Sequence, residues 1–254
     1  MSQYRETADK IRSAIADGTY QRGVLLPNED QLAAELHVNR VTVNRALQIL
    51  RAEGLVRVHR GVGTIVHELA PMLRDAAVRH SRARRERGGS RGALATELAD
   101  LGYELRSDNT VEPGYPPALV AELLGVNPDE KSVIVRARRM FAQNVPIQLV
   151  TSYIPIAIAQ GTPIAQEDSG VGGISSRLAE LGHAQHEIEE RIAVRPPLPQ
   201  EADFLRMTED QRVYEIVHIG WTVDDRPVKV TLYVMPTHQW ALRYRYPVDP
   251  SVGA

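Results

Sequence analysis

Between Leu26 and Val66 the spacing of apolar residues changes period within one short segment, which restricts the fold more than anything else in this 254-residue chain. Leu26-Pro27-Asn28-Glu29 predicts a helix start: Asn28 is a good N-cap residue, and Gln31 can reach back to close a capping box. Leu32, Ala33 and Leu36 give that helix a short apolar face, and His37-Val38-Asn39 predicts a tight turn. A further helix follows from about Arg40 to Glu53 and ends at Gly54. In it Val43, Ala46, Leu47 and Leu50 fall on one side at helical spacing, while Arg40, Val41, Asn44, Arg45 and Gln48 spread over the other. Leu55–His59 and Thr64–His67 then read as two strands around Arg60-Gly61-Val62-Gly63. Preceded by a helix over residues 4–17 with Ala8, Ile11, Ala14 and Ile15 on one stripe, this order is a winged helix-turn-helix.

The exposed side of the third helix has the chemistry of base recognition. Arg matches guanine O6 and N7, Asn matches adenine N6 and N7, and a Val methyl packs on thymine. Gly61 and Gly63 at the hairpin tip would let backbone approach a phosphate or the minor-groove floor, with Arg57, His59 and Arg60 adding positive charge. A polar helix face is ordinarily a solvated one, and a tight hairpin needs glycine anyway, so the conjunction of the two carries the inference. Charge points the same way: residues 1–92 hold 16 Lys+Arg against 10 Asp+Glu, and the remainder 14 against 22. A polyanion partner is therefore expected for the first part only.

Other classes are excluded by composition. Without cysteine there are no disulfides or thiolate metal sites. No apolar run approaches the roughly 20 residues of a membrane span, and the start of the chain does not read as a signal peptide, so a cytoplasmic protein with no membrane partner is expected. Residues 68–92, which include RHSRARRERGGSRG (79–92), predict a linker. From Ala93 the chain mixes types. Helices are predicted over 94–102, 116–125, 172–182 and 199–207, and strands over 132–142, 146–154, 187–195 and 213–235, the last a hairpin turning at Asp224-Asp225-Arg226. Leu242–Tyr246 would add a final strand. Hairpins joined by short turns imply an antiparallel sheet with helices on it, an α+β fold for residues 93–247. HExxH, GxSxG and P-loop patterns are absent, His183 and His186 fall in a turn, and the run Glu187, Glu189, Glu190 reads as a solvated strand face. No catalytic residue, metal or cofactor is expected.

The segment LPNEDQLAAELHVNRVTVNRALQILRAEGLVRVHRGVGTIV resembles the winged-helix half of the GntR transcription regulators. The resemblance implies DNA contacts from Asn28, Arg40, Thr42 and Asn44 and from Gly63 of the wing, and the helix side and hairpin read above add Asn39, Val41, Arg45, Gln48, His59, Arg60 and Gly61. Asp30, Asn44 and Val62 stand where Arg is frequent in that family, so its common half-site is not implied. Over roughly 93–247 the segments 133–155, 161–183, 187–205 and 224–236 resemble the UTRA ligand-sensing domain of the HutC branch, whose fold is related to chorismate lyase and which usually dimerises.

In that domain a small effector lies between sheet and helices. Polar residues on otherwise apolar strands are the candidates: Arg136, Arg138, Gln148, Ser152, Tyr153, Glu189, Lys229, Thr231 and Tyr233. Arg91 and Gly92 at one helix start and Ser175 at another could hold an anion through free N–H groups. Members that bind amino-sugar phosphates carry Glu at the positions of Val150 and Lys229, so a hexosamine phosphate is disfavoured and an anionic or largely apolar metabolite is expected. The resemblance thus implies a homodimeric regulator, a repressor, on a palindromic operator. The rivals are a chorismate-lyase-like enzyme and a dimerisation module that does not bind DNA.

Overall fold

The computed structural model describes residues 2–59, 61–76, 92–170 and 172–246. Its first part is the expected winged helix: α1 (Gln3–Ala16), α2 (Glu29–Glu35), α3 (Arg40–Ala52), and the hairpin β1 (Val56–His59) with β2 (Gly63–Val66). The capping box forms, with the Gln31 N–H donating to Asn28 Oδ1 and the Asn28 N–H to Gln31 Oε1, both at 2.9 Å. Ala8, Ile11, Ile15, Leu32, Val43, Ala46, Leu47 and Leu50 close into one core with Leu26, Val56 and Val66. The segment before α2 also joins the wing, since the Leu26 N–H donates to the Thr64 carbonyl at 2.8 Å and the Val66 N–H to that of Val24 at 3.0 Å. Nothing in its side-chain pattern announces this edge pairing.

Part of the segment expected to be linker is structured. Met72–Asp75 form β3, which lies parallel to the late strand β10 (Trp240–Arg243). The last strand therefore begins earlier than the Leu242–Tyr246 expected from alternation, because its partner is β3 and not the main sheet. Residues 77–91, with most of the Arg-rich run, lie outside the described residues.

The main sheet has six strands, β4 (Leu105–Gly114), β5 (Val133–Ala142), β6 (Val145–Pro155), β7 (Glu187–Arg195), β8 (Val213–Trp221) and β9 (Pro227–Pro236), in the order β4-β5-β6-β9-β8-β7 and antiparallel throughout. β4 was not expected: LRSDNTVEPG is polar, with no alternation, and is held as an edge strand by β5 alone. Helices α4 (Gly92–Asp100), α5 (Ala118–Leu124), α6 (Ile156–Ala159), α7 (Gly173–Glu180) and α8 (Pro199–Leu205) complete the fold.

The two faces differ. On one, Val120 and Leu124 of α5 pack on Tyr153, Val217, Ile219 and Val230. The other carries two separate cores. Leu94, Leu98, Met72 and Trp240 cover Met140, Val150 and Ile216, while Ala159, Ile164 and Leu178 cover Ile134 and Ile154. A polar row crosses the sheet on this second face, following the register Arg136–Ser152–Thr231–His218–Glu190.

β3 delivers Arg74, wholly buried, to the end of that row. Its Nη1 donates to Glu190 Oε2 at 2.9 Å and its Nη2 to Glu190 Oε1. Tyr244 Oη adds a bond to Glu190 Oε2 at 2.6 Å, and His218 Nδ1 lies 2.9 Å from Oε1. Glu190 was expected on a solvated face with Glu187 and Glu189. It shares the parity of Ile188 and turns inward to Arg74 and His218, and its carboxyl is held well below the usual carboxylate range by hydrogen bonds from His218 and Arg74 that outweigh its burial.

The winged helix rests on the sheet domain through the end of α3. Gln211 Nε2 donates to the Arg51 carbonyl at 3.0 Å, and Arg51 pairs with Asp210 at 3.4 Å. Gly54, at φ +70°, ends the helix, and a Cβ there would stand 2.1 Å from the His238 ring. His238 meets His67 edge to face with centroids 5.7 Å apart, and burial pushes it down to about 4.

Glu190→Ala strands the Arg74 guanidinium and should cost about 3–5 kcal/mol in urea unfolding. His218 and His238 are both pushed down to about 4 by burial, against about 6.5 unfolded. Their contribution is complete above pH 6.5 and lost as pH falls toward 4, so the unfolding free energy from urea titrations should drop between pH 7 and 5, by about 2 kcal/mol for each histidine. A flat profile over that window would contradict their neutral burial.

Candidate DNA interface and ligand site

Capping and core packing leave α3 with a defined outer side. Val43, Ala46, Leu47 and Leu50 are turned into the core, and Thr42 goes with them: expected among the DNA contacts, it is buried on the core side of the helix. Val41, Asn44, Arg45 and Gln48 are exposed, as is Arg40. Asn39 Oδ1 accepts the Thr42 N–H at 2.8 Å and Asn28 Oδ1 that of Gln31, so both asparagines use their carbonyl oxygens as caps.

Arg40 and Asn44 are not loose. Glu29, the first residue of α2, accepts from Arg40 Nε at 2.8 Å through Oε2 and from Asn44 Nδ2 at 3.1 Å through Oε1. Asn44 Oδ1 in turn accepts from Gln48 Nε2 at 3.1 Å. Two hydrogen bonds from cationic and amide donors outweigh partial burial and lower the Glu29 carboxyl below its ordinary value.

At the wing, Gly61 and Gly63 take φ of +78° and +135°, and the Val62 N–H donates to the His59 carbonyl at 3.0 Å. His59 and Val62 are exposed at the tip. Arg57, in contrast, is paired with Glu68. Arg60 lies outside the described residues. The helix side and the wing tip form the expected pair of exposed elements.

On the sheet, Arg136, Ser152 and Thr231 occupy adjacent strands in the polar row. Arg138, Gln148, Lys229 and Tyr233 share their face, one or more alternations away. Tyr153 and Glu189 do not. One-residue alternation turns them to the opposite face, where Tyr153 packs under α5 and Glu189 pairs with Arg191 at 2.7 Å, so the site assembled on the polar face does not include them. Gly92 opens α4, and Arg91 is outside the described residues.

Much of the row is already engaged. Arg136 donates to the carbonyls of Ile164 at 2.6 Å and Glu167 at 2.8 Å and to that of Gln166, clamping the segment after α6, with its Nε left unbonded. Ser152 and Thr231 hydroxyls share a bond of 2.9 Å. Gln148 Nε2 contacts Met140 Sδ at 3.0 Å, and its Oε1 is buried without a partner. Tyr233 lies under the Arg74 guanidinium at 5.4 Å.

Lys229 is different. It makes no ion pair or hydrogen bond to any described residue, and burial, with Arg138 beside it, lowers it to about 8. Arg136 is also depressed, by burial and then by Arg138. Opposite Lys229 in register stands Gly220, where a Cβ would fall 1.5 Å from Gln185 Nε2. The missing side chain thus lets Gln185 lie on the sheet. Ser175 of α7 donates to Gln185 Oε1 at 3.0 Å, leaving Gln185 Nε2 buried and unbonded. The result is a cluster of cations and unused N–H donors, with no counter-carboxylate bonded to Lys229 among the described residues.

Sequence comparison agrees with this two-part geometry. Residues 3–66 match the family of bacterial regulatory proteins named gntR, and residues 108–240 match the UTRA domain. The chain belongs to the GntR family of transcription regulators. It is 30% identical to an uncharacterised HTH-type transcriptional regulator of Streptomyces coelicolor over 98% of this chain and 94% of that one. A similar regulator of Rhizobium meliloti is 30% identical over 89% and 87%. Among solved structures, a GntR-family transcriptional regulator superposes with a TM-score of 0.59 at 23% identity, covering 98% and 99% of the two chains. PhnF from Mycobacterium smegmatis gives 0.55 at 17%, covering 97% and 100%. As a GntR regulator with a UTRA domain, the protein binds operator DNA and takes a small-molecule effector on its sheet domain, and is not an enzyme. No helix among the described residues is long and apolar enough to cross a membrane.

Sequence reasoning missed Glu29, Arg74, Gln185, Glu190 and His218. For Glu190 and His218 a signal existed: each is a lone polar residue on the apolar parity of its strand, beside Ile188 and Ile192 or Ile216. Gln185 and Arg74 sit in segments with no pattern to break.

A partly buried ammonium with no counter-charge among the described residues costs the fold stability. Lys229→Met should raise stability by about 1–2 kcal/mol at pH 7, allowing for partial exposure. Since Lys229 is depressed from 10.5 to about 8, the penalty is complete below pH 8 and vanishes as pH rises to 10.5. The stability gap between the two proteins should therefore close over that interval in urea titrations.

Proposed function

We propose that the protein is a cytoplasmic, homodimeric repressor of the HutC type. Each α3 of the dimer reads one half-site of a palindromic operator, and an anionic metabolite bound on the polar sheet face changes the relative placement of the two winged helices. Arg40, Asn44, Arg45 and Gln48 are the base-reading set, and Gly61–Gly63 the wing contact with the backbone.

The observation that carries the ligand class is Lys229: a partly buried cation that bonds to no described residue and feels the charge of Arg138, with the unused N–H of Gln185 over Gly220 across the strand pair. An anion would relieve the repulsion among these cations and satisfy the open donor. Val150, buried in the core, offers no acid for sugar hydroxyls, which supports setting hexosamine phosphates aside.

Both halves of the reading can be tested. Gel shifts on the DNA upstream of the protein's own coding sequence should show Arg40→Ala losing at least about tenfold in operator affinity, with effector binding intact. Wild-type affinity in that variant would remove Arg40 from the reading set. In a thermal-shift screen of carboxylated and phosphorylated metabolites, a true effector at about 100 times its Kd should stabilise the wild type by about 2.7 kcal/mol and Lys229→Met far less. Stabilisation only by uncharged compounds would overturn the anion class.

A further inference from the structure

Glu29 stands where a DNA-binding surface ordinarily avoids negative charge. Its side chain is about one-third accessible, and Asp30 follows it with its carboxylate 3.8 Å from Arg40 Nη1, beyond hydrogen-bond range. The capping box at Asn28 and Gln31 pins the backbone from which Glu29 springs. Its two oxygens are divided between two residues of α3, one to Arg40 Nε and the other to Asn44 Nδ2.

The division restricts what those side chains can offer a base. With Nε taken, Arg40 can present only its terminal Nη1/Nη2 fork, the end-on geometry for guanine O6 and N7. Asn44 gives one N–H to Glu29 and one Oδ1 lone pair to Gln48, so its amide has a set orientation with one donor and one acceptor left.

We propose that Glu29 is a specificity-determining positioning residue: it holds Arg40 and Asn44 in the one arrangement that reads the operator, and its charge weakens binding to all other DNA. The role rests on the reading of Arg40 and Asn44 as base contacts. It implies an uncommon mutational signature, in which loss of Glu29 makes the protein bind DNA in general more tightly and bind its operator less selectively. A residue that merely supported the fold would weaken both together.

The test uses the full-length protein and a duplex library randomised over roughly 20 base pairs, enough for two half-sites. Wild type, Glu29→Gln, Glu29→Ala and Arg40→Ala are each selected against it, and the preferred and scrambled duplexes are titrated. For Glu29→Ala, preference at the base pair that Arg40→Ala also abolishes should fall about 5-fold or more, with Glu29→Gln intermediate because one amide oxygen can hold only one of the two partners. Binding to the scrambled duplex should tighten about twofold or more at roughly 50 mM salt. A Glu29→Ala motif identical to wild type, with Arg40→Ala altered, overturns the role of Glu29 alone. A wild type that selects no motif, or an Arg40→Ala protein that selects the wild-type one, overturns the recognition-helix reading and this role with it.

Discussion

A guanidinium with no exposed surface requires its counter-charge inside the protein, and that requirement on Arg74 organises the rest of the molecule. Arg74 comes from β3, the strand that leaves the winged helix, and its partner Glu190 lies on β7, the far edge of the main sheet. The pair can form only if β3 lies along β10 over the polar face and the register from β7 to β8 is kept, since Glu190 also binds His218 across that register. One charge pair thus ties the exit of the winged helix, the polar face of the sheet and the sheet edge into one arrangement. Apolar cores on either side provide the bulk of the burial, and Met72 joins β3 to one of them.

The polar row shows a division between structural and available polar groups. Arg136 and Glu190 end it, one clamping the carbonyls of residues 164–167 and the other holding Arg74. Between them Ser152 and Thr231 satisfy each other, and Lys229, one alternation from Thr231 along β9, bonds to no described residue. Pre-organisation at the ends of the row and an unmet charge nearer the middle are what a site for a charged small molecule requires, since ligand binding then orders little protein.

Elements with strong periodicity were legible in the sequence. α1, the Asn28 capping box, α3 with its core face, and the strands at 133–142, 145–155 and 187–195 lie where spacing puts them, and α1 and α3 each bury one face at the helical period. β4 was not legible: its polar residues face solvent along an edge, and only β5 makes it a strand. β3 was expected to be linker and β10 to begin later, since a short parallel pair between distant segments leaves no local trace. In the candidate site, parity found Arg136, Ser152, Lys229 and Thr231 but could not say which face Tyr153 and Glu189 would take until the register fixed it. Glu29 was read as a helix-start residue, which it is, while its reach to α3 is a tertiary fact.

The contacts of Arg51 with Asp210 and Gln211 give α3 the mechanics of a lever. The helix is 13 residues long, roughly 20 Å from end to end. Its last turn is tied to the sheet domain, and Arg40 is at the opposite end. A tilt of only about 10° at the tied end carries Arg40 through about 3 Å, the full length of a hydrogen bond. Shape changes in the sheet domain too small to disturb its core are therefore large enough to displace the exposed end of that arm by a hydrogen-bond length.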